Sequence, residues 1–234
     1  MPAEKTKFEW KVGLILLILC LGFIAWYSGI LNGGKLTKND VEQYLTQIDK
    51  NLNWPEEVKQ PMLQRLRSWG EADDGKQFFM LNMMRFRDQV YQYPGAIKGF
   101  SGTAKEADDL YGHSTTDELI QLAGHPILWG DVQSSNITSD IHGPNFDNWN
   151  RIGVVRYPNR RAFFELMASE GYGETAAYKL MGSHTYLIPV SSDNVFPDLR
   201  LPVSAGFLVT FLFVAWRRSL KFHQKKQLNS KGTV

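Results

Sequence analysis

The chain has 234 residues, enough for one or two modest domains, and its net charge of +2 conceals an uneven distribution. Nine basic residues (Lys5, Lys7, Lys11, Arg217, Arg218, Lys221, Lys225, Lys226 and Lys231) lie at the two ends, whereas residues 32–200 hold 17 Lys+Arg against 22 Asp+Glu. The acidic middle argues against nucleic acid as a partner. The single cysteine, Cys20, rules out an intrachain disulfide and a cysteine-based metal or iron–sulfur site.

Residues 1–11 form a basic tail, followed at 12–31 by an uncharged apolar run, VGLILLILCLGFIAWYSGIL. As a helix this run rises about 30 Å, one hydrocarbon core. Trp10, Trp26 and Tyr27 stand near its edges as interfacial aromatics do. A cleaved signal peptide is the rival reading, but the run is longer than a usual signal core and no small-x-small site follows it cleanly. Asn32-Gly33-Gly34 then reads as a hinge. Residues 35–73 read as a helical hairpin, a packing collar between anchor and domain. Thr37 or Asn39 caps its first helix, with Val41, Tyr44, Leu45 and Ile48 as the apolar stripe. Pro55 opens the second, with Val58, Met62, Leu63, Leu66 and Trp69 on one face. Gly70 and the Asp73-Asp74-Gly75 turn end it.

Residues 77–87, QFFMLNMMRFR, are apolar on both alternating faces and predict a central strand covered on both sides. One polar residue interrupts each face, Asn82 on the first and Arg85 on the second, and a buried amide or guanidinium needs a partner. The pattern next predicts a helix over 105–123, weakened in the middle by Gly112 and the Ser114-Thr115-Thr116 run, and a strand over 127–132. Residues 134–148 read as a loop, and the Asn136-Ile137-Thr138 sequon within it as a chance match. A strand over 149–157 (WNRIGVVRY) leads through Pro158 to Asn159, which caps a helix over 160–169. A linker carrying Tyr172 and Tyr178 precedes the last strand, 183–190. Residues 200–217 hold a second uncharged run, LPVSAGFLVTFLFVAW, followed by a basic tail over 218–234. That run has no polar face, which a surface helix needs, so it too reads as transmembrane rather than as a buried core helix. Basic residues flank the outer side of each segment, so both termini are expected in the cytoplasm and the domain on the periplasmic side of the inner membrane.

The order strand, helix, strand, strand, helix, strand is the split βαβ pattern of an α+β, ferredoxin-like domain over 76–190. Its helices occupy one face of the sheet, and a second copy would cover the other, which makes a homodimer the expected assembly. The strings MLNMMRFRD at 80–88 and VVRYPNRRAFFELM at 154–167 resemble the dimeric α+β barrel superfamily. The nearest branch is its small uncharacterised proteins with MLNLLRFR-like and IVRYPSRxAFL-like strings. Where that branch often has serine after the proline, this chain has Asn159, which caps equally well. The longer segment between the first two strands, the anchors and the helical collar depart from the family pattern. The resemblance implies a ferredoxin-like homodimer with a ligand cavity. Its relatives include cofactor-independent monooxygenases, muconolactone-type isomerases and haem-handling proteins, and fold alone does not choose among them.

Arg85 and Arg156, near the ends of two neighbouring strands, suit forked recognition of an acidic ligand, or pairing with Asp88, Asp131 or Glu165. Of the histidines His113, His125, His142, His184 and His223, none has metal-ligand spacing. His184, at the start of the last strand, is the candidate general base or haem ligand, set against an ordinary surface or core histidine. Tyr111, Trp129, Trp149, Tyr172 and Tyr178 either line an apolar pocket or belong to the core. No dinucleotide, phosphate-loop or hydrolase motif occurs. The candidate ligand-binding set is therefore Asn82, Arg85, Trp129, Arg156, Tyr172 and His184. The leading expectation is a membrane-anchored domain that binds a small, partly apolar molecule with no cofactor, haem being the alternative. A cofactor-independent oxygenase or isomerase using Asn82, Arg156 and His184 is the second reading. A non-catalytic accessory subunit of a membrane complex, with a membrane-protein partner, is the third.

Overall fold

The computed structural model describes residues 2–134, 137, 148–191 and 198–231, with side chains described between residues 10 and 224. The chain divides into two compact units, Met1–Tyr27 with Asn194–Val234, and Ser28–Asp193. The sequon and most of the 134–148 loop lie outside the described residues.

The first unit consists of α1 (Pro2–Tyr27) and α7 (Arg200–Lys231). Each contains a span long and apolar enough to cross a membrane, Trp10–Tyr27 and Arg200–Gln224, and almost none of either span is buried. The two helices touch: Gly13 faces the Phe211 ring, and the Cys20 thiol donates to Ser204 Oγ at 3.5 Å. Three boundaries differ from expectation, and the first is that α1 already begins at Pro2, within the basic tail. The first helix stops at Tyr27, short of Leu31, because Gly29 turns left-handed (φ 69°) and Ile30–Asn32 form a 3₁₀ turn. The last helix runs on through the basic tail to Lys231, since Lys, Gln and Leu are good helix formers.

The second unit opens with α2 (Lys38–Asn51) and α3 (Glu56–Glu71). Thr37 caps α2 in a reciprocal box with Asp40. Gly70, expected to end α3, lies inside it: a Cβ there would stand 2.7 Å from the Phe164 ring, so the glycine permits close approach. Val58, expected on the buried stripe, is exposed. The hairpin does not stand apart as a collar. Val41, Leu45, Ile48, Leu63 and Leu66 share one core with Phe78, Met80, Phe163 and Met167.

Four strands follow: β1 (Phe78–Phe86), β2 (His125–Asp131), β3 (Arg151–Tyr157) and β4 (Ser183–Val190). They form one sheet in the order β2-β3-β1-β4, antiparallel throughout, with β1 paired on both sides. The fold is thus mixed α+β. The inner face carries Phe78, Met80, Asn82 and Met84, all buried. On the outer face Leu81 and Met83 are half-buried among exposed neighbours such as Leu128 and Tyr186.

The inner face is covered by α4 (Ala104–Gln121), α5 (Arg160–Ala168) and α6 (Glu170–Gly182). Thr103 and Glu106 close a capping box on α4, whose Ser114, Thr115 and Thr116 hydroxyls bond to carbonyls four residues back and leave the helix continuous. Asn159 caps α5 by accepting from Ala162 N at 2.9 Å. An aromatic cluster of Trp69, Phe78, Tyr157 and Phe163, with centroids 5.0–5.6 Å apart in successive contacts, ties α3, α5, β1 and β3 together.

The segment expected to be a linker is the helix α6. Two of its glycines sit at close approaches: a Cβ on Gly173 would meet Asn51 O at 2.8 Å, and one on Gly182 would meet Ala104 O at 2.4 Å. Ser169 caps the helix by accepting from Tyr172 N at 3.0 Å.

Candidate functional site

Two cavities open on the inner face of the sheet. One, of about 290 Å³, lies beneath α4 and is walled by Tyr111, Trp129, Val155, Tyr157 and Leu166. Its polar end holds Asn82, Asp108 and Arg151. The other, of about 310 Å³, lies on the β4 side and is lined by Trp54, Leu66, Trp69, Met80, Tyr172, Lys179 and Leu187. A buried cluster of Asn82, Tyr111 and Lys179 stands where the two linings meet.

Helix spacing builds that cluster. On α4 the buried positions Ala104, Ala107, Asp108, Tyr111, Thr115 and Leu119 form one stripe, so Asp108 projects from an otherwise mostly apolar face. On α6, Tyr172, Ala176 and Lys179 form the matching stripe and carry a lysine into the interior. Gly182 and the alanines allow these two helices to approach closely.

Lys179 is 4% exposed. Its ammonium donates to Asn82 Oδ1 and to Tyr111 OH, both at 3.4 Å, and stands 4.5 Å from the centroid of the Tyr111 ring. Burial lowers its pKa from the ordinary lysine value, against the opposing pull of Tyr172 and Asp108. Burial likewise pushes Tyr111 and Tyr172 upward, so both stay protonated donors. The two rings meet edge to face at 6.0 Å.

Asp108 is fully buried and accepts from Ser183 Oγ and Arg151 Nη1, each at 3.1 Å. Burial raises its pKa, although Lys179, Ser183 and Arg151 pull it back down. Arg151 also reaches Asp131 with Nε at 2.7 Å and Asp109 with Nη1 at 2.6 Å. Burial opposes its charge, but the hydrogen bonds to Asp131 and Asp109 outweigh it and raise its pKa. Trp129 rests over Gly153, where a Cβ would come within 2.3 Å of the indole.

The sequence-derived candidates separate. Asn82, Trp129 and Tyr172 are at the inner-face cavities. Asn82 is 5% exposed, and its Nδ2 donates to Met80 O at 3.0 Å. Arg156 sits on the outer side of β3, buried, donating to Ala123 O at 3.0 Å and Gln77 Oε1 at 3.2 Å. Arg85 and His184 are cross-strand partners at the opposite end of the sheet, also on the outer side. Six residues of strand, about 20 Å, separate Arg85 from the position opposite Arg156, so the two arginines form no joint clamp. Neither pairs with Asp88, Asp131 or Glu165: Arg151 takes Asp131, and Glu165 accepts from Tyr44 OH. His184 faces a surface groove, where its Nε2 lies 3.1 Å from Arg87 Nη1. Burial, then Arg87 and Arg85, lower its pKa. It does not reach the cavities as a base or haem ligand.

Sequence reasoning missed Lys179, Asp108, Arg151 and Ser183. The available signal was a charged residue on an apolar stripe, at Asp108 in α4 and at Lys179 in α6. Among the described residues no group of three or more His, Cys, Asp or Glu side chains is placed to hold a metal ion.

Fold and site together define an α+β domain with a paired inner-face cavity, joined to two membrane-length helices. No family model matches the chain, and no curated protein matches it significantly. Among solved structures it is similar to RPA0582, a protein of unknown function from Rhodopseudomonas palustris. The identity is 20%, covering 56% of this chain and 94% of that one, with a TM-score of 0.47. The methylated form of RPA0582 gives 20% identity over 57% and 93% of the two chains, with a TM-score of 0.48. SnoaB, a cofactor-independent oxygenase from Streptomyces nogalater, gives 10% identity over 53% of this chain and 99% of that one, with a TM-score of 0.33.

Proposed function

We propose that this chain is a membrane-anchored, ferredoxin-like domain of the dimeric α+β barrel type that binds a small, partly apolar molecule on the periplasmic side of the inner membrane. The observation that carries this reading is the cavity of about 290 Å³ beneath α4, whose aromatic and aliphatic walls end in the buried groups Asn82, Asp108 and Arg151. An apolar enclosure with a few converging polar groups is the usual form of a small-molecule site. Helices α1 and α7 are the anchors, and the basic residues at their outer ends orient both termini to the cytoplasm. Exposed Leu128, Tyr186, Ile188 and Val190 on the outer face of the sheet favour pairing of two copies through that face.

Gly112 lines the cavity mouth, and a Cβ there would make only an ordinary contact with Trp129 at 3.9 Å. The backbone position thus accepts a side chain, and Gly112→Leu is expected to narrow the mouth, with unchanged circular dichroism as the check that the fold is kept. Native mass spectrometry of the full chain, extracted in detergent from its own membrane, is expected to show a dimer retaining a small-molecule mass that Gly112→Leu loses. A bare protein in both cases, or the same adduct on both, refutes the reading.

A further inference from the structure

Lys179 has a position that the cavity reading alone leaves unexplained. Its hydrogen-bond partners are neutral, and it forms no ion pair among the described residues. A buried ammonium without a counter-charge is expensive, and so is a buried amine that cannot donate fully. The titratable groups facing it are Asp108 and Tyr111 from α4 and Tyr172 from α6; Arg151 and Tyr157 from β3 lie one contact further out, against Asp108 and Tyr111. Asp108 is already engaged by Arg151 and Ser183, and the tyrosines are protonated donors. The arrangement lacks one acceptor carrying negative charge.

We propose that the ligand of this site is an organic acid, a single carboxylate on an apolar or aromatic body, seated with its carboxylate against Lys179 Nζ between Asn82 and Tyr111. Lys179 lines the cavity of about 310 Å³, and its partners Asn82 and Tyr111 line the one of about 290 Å³, so the proposal rests on the cavity reading above and narrows its ligand class at the junction of the two. Tyr111 OH and Asn82 Nδ2 are the neighbouring neutral donors, and the walls of both cavities suit the apolar body. A carboxylate restores the ion pair the lysine lacks and draws a proton onto the amine. Binding then takes up a proton from solution at any pH between the lowered pKa of the empty site and the higher one of the occupied site.

Isothermal titration of the full chain in lipid nanodiscs tests this with four probes: octanoate, octanamide, 2-naphthoate and 2-naphthamide. At least one acid is expected to bind about ten- to a hundredfold more tightly than its amide, the range for a hydrogen bond to a charged group. Repeating the titration in buffers of different ionisation enthalpy is expected to show proton uptake on acid binding that grows as the pH rises above the lowered pKa of the empty site. Lys179→Met abolishes both the discrimination and the uptake. Asn82→Asp gives the lysine an internal carboxylate and does the same, which covers the case where the methionine variant fails to fold. Preference for octanoate points to a lipid-derived acid, and preference for 2-naphthoate to a soluble aromatic one. Amides binding as well as acids, or discrimination surviving in both variants, overturns the acid proposal and leaves the cavity reading standing. Failure of all four probes overturns both.

Discussion

Replacing Arg151 with methionine tests whether the polar end of the cavity is held by charge. Arg151 has 7% side-chain exposure and serves three carboxylates of very different burial: Asp108 is 0% exposed, Asp109 40% and Asp131 53%. Contributions from the two exposed partners are of the surface kind, about 0.2–1 kcal/mol each. Asp108 is different, because Arg151→Met leaves its carboxylate buried with only Ser183 and the more distant Lys179 to offset it. Breaking a buried pair in this way costs about 3–5 kcal/mol. The cost falls at low pH, because protonation removes the stranded charge and the pKa of Asp108 is already raised by burial. In an Asp108→Asn background, Arg151→Met loses only the exposed pairs and the stacking on Phe86 at 5.2 Å, about 1–2 kcal/mol in all. The coupling between the two sites is therefore about 1–4 kcal/mol. Urea unfolding of the four proteins in detergent, followed by near-ultraviolet circular dichroism at pH 8 and pH 5, measures it. A coupling below about 0.5 kcal/mol at pH 8 means that Arg151 does not hold Asp108, and the electrostatic account of the site fails.

Two further predictions concern α6. The native pKa of Lys179 lies below its unfolded value of 10.5, so between the two the unfolded chain binds more protons and stability rises with pH. Lys179→Met is expected to flatten that rise in the same urea assay above pH 7, and an unchanged slope contradicts the assignment. Gly182→Ala drives a methyl to 2.4 Å from Ala104 O, a backbone atom with little room to yield, and is expected to destabilise by about 1–3 kcal/mol. Gly171→Ala meets only the end of the Glu118 side chain, which can swing aside, so its effect stays within about 1 kcal/mol. Equal melting temperatures for the two alanine variants would show that α4 and α6 are not packed as described.

The strands and caps were legible because they depend on local rules. Alternation along 77–87 pointed to β1 at the centre of the sheet, and Thr37, Asn159 and Pro55 sit at helix starts as their chemistry requires. The site was less legible because it depends on two facts that local pattern does not carry. The first is register. Neighbouring strands put Arg85 and Arg156 on the same sheet, but antiparallel pairing sets Arg85 opposite His184 and Arg156 opposite Phe79, so the supposed pair splits. The second is tertiary compensation for poor propensity. Glycines in α6 weaken an isolated helix by about 1 kcal/mol each. Here Gly173 and Gly182 stand where the backbone of Asn51 and of Ala104 comes too close for a side chain. The expectation of a linker there hid the helix that delivers Lys179, and with it the apolar stripe on which a lysine is conspicuous. Asn82 escaped that difficulty because its strand was recognised first, and an amide among methionines and phenylalanines then stood out. A charged residue becomes informative only once its element and face are known, which is why Asp108 and Lys179 needed the fold and Asn82 did not.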